Sequence, residues 1–259
     1  ARSGIEEAIE LNKKGSRVIA TDLASRDELK DIRTLEKERV EMVLGEHPLG
    51  LLDSCDFVVV SPGVPSDIAI LEEARKRDIP VISELELGFR LAKAPIIAIT
   101  GTNGKTTTTT LAGEILKNDG RNISVSGNIG VPLIQEAADD AGRDYLVVEV
   151  SSFQLENIVA FRPKIGVILN LTEDHLNRHK TFENYIEIKA KIMENQSEED
   201  YIVLNYDDNL VRSLAKRAKG NVVFFSRDSE LPRGVFVKNG VIVIKENGNL
   251  YPILKTSEL

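Results

Sequence analysis

Three groups of residues in this chain have the types and spacing to do chemistry. The first is GTNGKTTTTT, residues 101–110, directly after the apolar run Ile96 to Thr100. Gly101 and Gly104 let the backbone turn its N–H groups toward an anion. A helix N-terminus after them adds a favourable partial charge, Lys105 a full one, and the Thr106 hydroxyl can reach a magnesium ion. The strict Walker spacing wants glycine at position 99, where Ile99 stands, so this is a shorter G-x-x-G-K-T loop. Gly101, Thr102, Asn103, Gly104, Lys105, Thr106 and Thr107 are the candidate nucleotide contacts. Threonine is a mediocre helix former, so Thr107 to Thr110 read as packing against a sheet rather than as four catalytic hydroxyls.

The second group lies in YLVVEVSSFQLE. Glu149 stands near the end of an otherwise apolar strand, where a carboxylate needs a cation partner. Strand ends beside a phosphate loop are where metal-binding acids sit, so Glu149 reads as a magnesium ligand; the alternative is a cap for the turn starting at Ser151. The third group is NLTEDHLNRH, in which Asn170, Glu173, Asp174 and His175 form another strand-end cluster facing the same phosphates. His175 and His179 would share a helix face, but no HExxH motif and no nearby cysteine support zinc. His179 reads as a surface residue and His47 as loop.

Elements that could position these groups alternate along the chain. Val18 to Thr21, Phe57 to Val60, Pro80 to Ser83, Ile96 to Thr100, Tyr145 to Val150, Ile165 to Leu171 and Tyr201 to Asn205 read as strands. Helical stretches cover Ile5 to Lys14, Ile68 to Arg77, Leu85 to Ala92, Thr106 to Asn118, Pro132 to Ala141, Phe182 to Asn195 and Asp208 to Lys219. Short apolar strands spaced by helices indicate an α/β protein of parallel βαβ units. Lys93-Ala94-Pro95 is the best linker, which divides the chain into domains 1–93 and 94–259. GVFVKNGVIVI carries an Asn239-Gly240 hairpin signal and Glu246 to Asn249 a second turn, so the chain should finish in an antiparallel extension. Gly4 could be the last glycine of a Rossmann-type turn whose strand precedes the chain, with Asp22 at the next strand end to meet a ribose or base; a natural start with a helix is the alternative.

Bulk properties narrow the function classes. The 259 residues carry a formal net charge of −8, which argues against a general nucleic-acid binder. The one cysteine, Cys55, excludes an internal disulfide, reads as a structural thiol and fits a reducing cytosol. Apolar runs fall far short of the ~20 residues of a membrane-spanning helix, and the charged N-terminus does not read as a signal peptide.

GTNGKTT, the acid in VVEVSS and NLTEDHLNRH, in this order, resemble the Mur ligases, the ATP-dependent amide-forming enzymes of peptidoglycan precursor synthesis. SPGV at 61–64, SELELG at 83–88 and SGNIG at 126–130 extend the resemblance along the whole chain. SSFQLE narrows it to the member that adds D-glutamate to UDP-N-acetylmuramoyl-L-alanine. The resemblance implies an N-terminal Rossmann-like domain for the UDP substrate and a central P-loop ATPase-type domain. It implies that Lys105 holds the ATP phosphates, that Thr106 and Glu149 serve a first Mg2+, and that His175 and a carbamylated lysine serve a second. Matching on Glu194-Asn195 selects Lys189, with Lys191 as the alternative. Asn128, Ser151 and Gln154 would face the muramoyl-alanine end, and Asp22, Ser61 and Gly63 the uridine and diphosphate. A cytoplasmic monomer with no nucleic-acid or membrane partner is implied. These ligases carry a third, C-terminal domain with no counterpart here, so the chain alone should form little or no amide. A folylpolyglutamate synthase-like ligase and a nucleotide-binding module without ligase chemistry are the competing readings; SSFQLE and the N-terminal part argue against the first.

Overall fold

The alternation of apolar runs and helical stretches becomes an alternation of strands and helices in the computed structural model, which describes residues 2–29, 32–139 and 141–258. In chain order the first elements are α1 (Arg2–Lys13), β1 (Ile19–Asp22), α2 (Ile32–Lys37), β2 (Glu41–Leu44), β3 (Val58–Val60), α3 (Ala69–Lys76), β4 (Val81–Ser83) and α4 (Glu84–Leu91). Next come β5 (Ile96–Thr100), α5 (Lys105–Asn118), β6 (Ile123–Gly127), α6 (Leu133–Ala138), β7 (Tyr145–Glu149), α7 (Ser152–Leu155) and β8 (Ile165–Ile168). The rest are α8 (Leu176–His179), α9 (Phe182–Ala190), β9 (Tyr201–Asn205), α10 (Asn209–Ser213), β10 (Asn221–Ser226), β11 (Gly234–Lys238), β12 (Val241–Glu246) and β13 (Asn249–Lys255).

Contacts divide the chain into two units. One comprises Ala1–Ala94, Ser126–Arg143 and Phe153–Phe161; the other comprises Pro95–Val125, Asp144–Ser152 and Arg162–Leu259. In the first unit β1 pairs in parallel with β2, and β3 with β4. Its apolar clusters form around Ala8, Ile9, Leu35 and Val40, around Leu52, Ile70 and Leu71, and around Ile82, Leu87 and Ile134. Gly88 in α4 is required there, because a Cβ would lie 2.8 Å from Leu133 of α6.

The second unit is built on a nine-stranded sheet in the order β13-β12-β11-β10-β9-β8-β5-β7-β6. Pairings from β11 through β10, β9, β8 and β5 to β7 are parallel, while the β11–β12 and β12–β13 pairings are antiparallel. The fold is therefore the expected α/β class with an antiparallel extension. Asn239 and Gly240 have φ of 50° and 73°, and Asn247 and Gly248 have 50° and 82°, as type I′ hairpin turns require.

Several elements differ from the sequence reading. Strands β2, β6 and β10 were not anticipated: EMVL begins on a charge, and ISVSG alternates apolar residues with serine. The helices expected over 182–195 and 208–219 stop at Ala190 and Ser213 and tighten into 3-10 turns. The strand expected to run to Leu171 ends at Ile168, because the next residues turn to the phosphate loop.

Candidate functional site

β5 is buried along its whole length and delivers the 101–104 loop at the end of a central strand. Gly101 has φ 152°, and a Cβ there would meet the Cβ of Leu169 at 2.9 Å and the Asn170 nitrogen at 3.3 Å, so only glycine fits. Gly104, at φ 80°, is the residue that opens α5. Asn170 clamps the loop from both sides: its Oδ1 accepts from the Asn103 N–H at 2.8 Å and its Nδ2 donates to the Asn103 carbonyl at 3.0 Å. Thr102 is tied in as well. Its N–H donates to the Asn170 carbonyl, and its Oγ1 accepts from the Thr172 N–H at 3.0 Å and lies 3.1 Å from the Tyr185 hydroxyl.

Charge gathers around this scaffold. The Lys105 Nζ donates to the Thr102 carbonyl at 2.8 Å, across the mouth of its own loop. The Thr106 Oγ1 donates to Glu149 Oε2 at 2.7 Å, and Glu149 is only 1% exposed. The register of β5 on β7, which pairs Ile99 with Glu149, explains how an acid 43 positions away reaches that hydroxyl. Lys189 of α9, also 1% exposed, donates to the Gly101 carbonyl at 2.9 Å and to Thr100 Oγ1 at 3.2 Å. Burial first, and then the positive charge of Lys105, lower its pKa to about 7. The Tyr185 ring centroid lies 5.0 Å from the Lys189 Nζ.

Not every sequence reading survives this geometry. Of Thr107 to Thr110 only Thr109 is buried, with its hydroxyl on the Lys105 carbonyl; Thr107 and Thr110 are exposed, since consecutive helical residues cannot all face one sheet. His179 is not a surface residue. It is 1% exposed, its Nε2 lies 2.9 Å from the Ser152 Oγ, and its ring tilts against Tyr185. The reason is local: His175 takes φ 51° and starts the short α8, whose last residue turns inward. His175 itself is exposed, its Nε2 3.5 Å from Asp174 Oδ2.

In the first unit Asp22 ends β1 and accepts the Ala24 N–H at 2.9 Å. A Cβ on Gly4 would stand 2.8 Å from the Ser61 hydroxyl, so the start of α1 and the Ser61 loop approach closely, with Gly63 exposed beside them. Asn128 is exposed and Ser151 half-buried. Gln154 is 1% exposed, with its NH2 group donated to Glu84 at 2.6 Å.

A profile of the Mur ligase middle domain matches residues 99–250, and one of the MurD-like N-terminal domain of Mur ligases matches residues 4–83. The chain belongs to the Mur ligase family. It is 47% identical over 262 residues to the UDP-N-acetylmuramoylalanine–D-glutamate ligase of Alkaliphilus metalliredigens, covering 100% of this chain and 58% of that protein. To the ligase of the same description in Clostridioides difficile it is 46% identical over 247 residues, covering 94% and 54%. The chain thus spans little more than half the length of these curated relatives. Among solved structures, the UDP-N-acetylmuramate:L-alanyl-γ-D-glutamyl-meso-diaminopimelate ligase of Neisseria meningitides shares the fold with a TM-score of 0.59 at 17% identity, over 96% of this chain and 81% of that one. The murein peptide ligase of Psychrobacter arcticus does so with 0.56 at 16%, over 96% and 58%.

Mur ligases as a family are ATP-dependent and need magnesium. The donor set fits that ion: a hydroxyl and a carboxylate, both hard oxygens, sit in mutual contact at the mouth of the loop. Among the described residues no group of three or more His, Cys, Asp and Glu side chains is arranged to hold a metal; magnesium commonly takes one or two protein oxygens and completes its shell with water and phosphate oxygens. Sequence reasoning passed over Tyr185, the clamping side of Asn170, and Glu84. Only Glu84 had a signal, as an acid in the Mur-like SELELG segment.

Proposed function

We propose that the protein to which this chain belongs is a cytoplasmic ligase that uses ATP to join D-glutamate to UDP-N-acetylmuramoyl-L-alanine in peptidoglycan precursor synthesis. Residues 1–93 would bind the UDP-linked substrate and residues 94–259 ATP. The observation that carries the reading is the phosphate loop bonded to its own lysine and, through Thr106, to the buried Glu149. The choice of D-glutamate rests on relatives that bear that activity in their names and match the whole chain at 47%.

In this reading Lys105 exchanges its bond to the Thr102 carbonyl for the transferring phosphoryl group, whose charge it neutralises. The Asn170 clamp keeps the loop amides aimed at the phosphates without reorganisation. The alanine carboxylate takes the γ-phosphoryl group to give an acyl phosphate, and the D-glutamate amine then displaces phosphate. Asn128, Ser151 and Gln154 hold the muramoyl-alanine end; Asp22, Ser61 and Gly63 hold the uridine diphosphate end. Thr106 and Glu149 would hold a magnesium ion, which would supply further neutralisation of phosphate charge. His175 and a carbamylated Lys189 would hold a second. An amine takes up carbon dioxide only when neutral, and a lysine shifted to about 7 is neutral far more often near pH 7 than an ordinary one.

The test is ADP release by the full-length protein with UDP-N-acetylmuramoyl-L-alanine and a panel of amino acids. D-Glutamate should be strongly preferred; equal rates with L-glutamate, or no stimulation by either, would defeat the reading.

A further inference from the structure

The start of α4 carries two buried acids that the reaction above does not use. Glu86, fully buried, accepts the backbone N–H groups of Val159, Ala160 and Phe161 at 2.8–3.0 Å, and Arg90 meets its remaining charge at 2.7 Å. The Ser83 N–H donates to the Asn157 carbonyl at 2.8 Å. Together these bonds fasten the segment 153–161 along α4. Glu84 adds one bond of a different kind, to a side chain rather than to the backbone: its Oε1 accepts from the Gln154 Nε2 at 2.6 Å.

The setting of Glu84 is unusual. Its Oε2 and the Oε1 of Glu7 are both buried with no hydrogen-bond partner among the described residues. Burial first, and then the charge of Glu84, hold the Glu7 carboxyl well above the usual carboxylate range. A carboxylate can only accept, whereas a carboxamide has a donor end and an acceptor end. The contact fixes which end of the Gln154 carboxamide meets the acid: the NH2 group donates to Glu84 Oε1.

We propose that Glu84 is a positioning residue for the UDP-linked substrate, acting through Gln154, whose carboxamide it holds by the NH2 end. This rests on the role given above to Gln154. Glu84 touches no substrate itself. It makes Gln154 a hydrogen-bond acceptor of fixed direction, suited to an N–H donor on the muramoyl-alanine end.

The test uses the full-length protein and the isosteric variant Glu84→Gln, whose own amide can present either end and no longer dictates the orientation of Gln154. Calorimetric binding of UDP-N-acetylmuramoyl-L-alanine should weaken about tenfold, and the KM for that substrate should rise in parallel. The KM for ATP should stay within about twofold, and the melting temperature should stay near that of the wild type, because the substitution keeps the side chain's size. Glu7→Gln, which offers a neutral donor toward Glu84, should retain most of the binding. Unchanged substrate binding in Glu84→Gln overturns the proposal, as does an equal loss for ATP, which a purely structural acid would produce. Should Glu84→Gln not fold, Gln154→Met must reproduce the tenfold loss, and wild-type binding by that variant is fatal. Calorimetry separates the two levels. A wild type that binds the substrate but releases no ADP with D-glutamate sinks the proposed reaction, while the comparison with Glu84→Gln still decides the positioning role.

Discussion

The loop at 101–104 and the segment at 153–161 are both held by polar side chains, yet by different chemistry. Among the described residues no carboxylate holds the loop: its side-chain partners are the Asn170 amide, the Tyr185 phenol, and the Lys105 and Lys189 amines on its carbonyls. Carboxylates hold the segment, with Glu86 gathering three amides at once and Glu84 one carboxamide. A carboxylate binds amides more strongly than a neutral acceptor does, but it satisfies the N–H groups that a phosphate would need and repels the phosphate itself. A loop with the proposed phosphate role is therefore better clamped by neutral or cationic groups than by carboxylates. The 153–161 backbone, whose amides meet no phosphate in the proposed reaction, can be fastened by carboxylates.

That contrast can be broken by experiment, and the largest effect should come from the loop. Lys105→Ala removes a charge that a neutral clamp cannot replace, and ADP release by the full-length protein should fall about a thousandfold or more with little change in melting temperature. Glu86→Ala should leave catalytic groups untouched and instead cost about 3–5 kcal/mol of stability in urea unfolding, because three amides and Arg90 lose their partner. Asn170→Ala should cost only about 1–2 kcal/mol and weaken ATP more than the UDP-linked substrate. If Asn170→Ala proves as destabilising as Glu86→Ala, the distinction between the two clamps does not hold.

A smaller, pH-dependent effect concerns Lys189. Its pKa is about 7 in the folded chain, below the ordinary lysine value, so the unfolded chain binds more protons above neutrality. Stability contributed by this site should therefore rise as pH increases from about 7, and the penalty of burying the ammonium should be fully present below that. The difference in unfolding free energy between wild type and Lys189→Met, measured in CO2-depleted buffer without magnesium, should show this slope; a flat difference would contradict it. The smallest effect should be at the hairpin, where Asn239→Ala forces alanine to φ 50° and should cost roughly 1 kcal/mol with no change in either KM.

The two regions also differed in how readable they were. GTNGK announced itself, because glycine spacing, a lysine and a preceding apolar strand are local facts. So were both Asn-Gly turns, whose positive φ values are a property of two residues. Glu149 was legible as an acid out of place in an apolar run. The clamps were not. Asn170 reaches Asn103 across 67 positions and Gln154 reaches Glu84 across 70, and no local pattern encodes such meetings. His179 was misread for a related reason: its burial depends on Ser152 and Tyr185, elements on either side of a helix too short to show a period. EMVL failed as a strand signal because four residues beginning on glutamate carry little pattern at all.

One consequence of the strand order concerns time rather than energy. β5, which carries the phosphate loop, lies between β8 and β7, and both are encoded after it. As the chain emerges from a ribosome, this strand has neither neighbour until residues 145–149 and then 165–168 have been made. At about 5–20 residues per second, its apolar face waits seconds for cover, and the Asn170 clamp arrives later still. The loop best recognised in the sequence thus acquires its shape only after a stretch of chain 67 positions further on has been made.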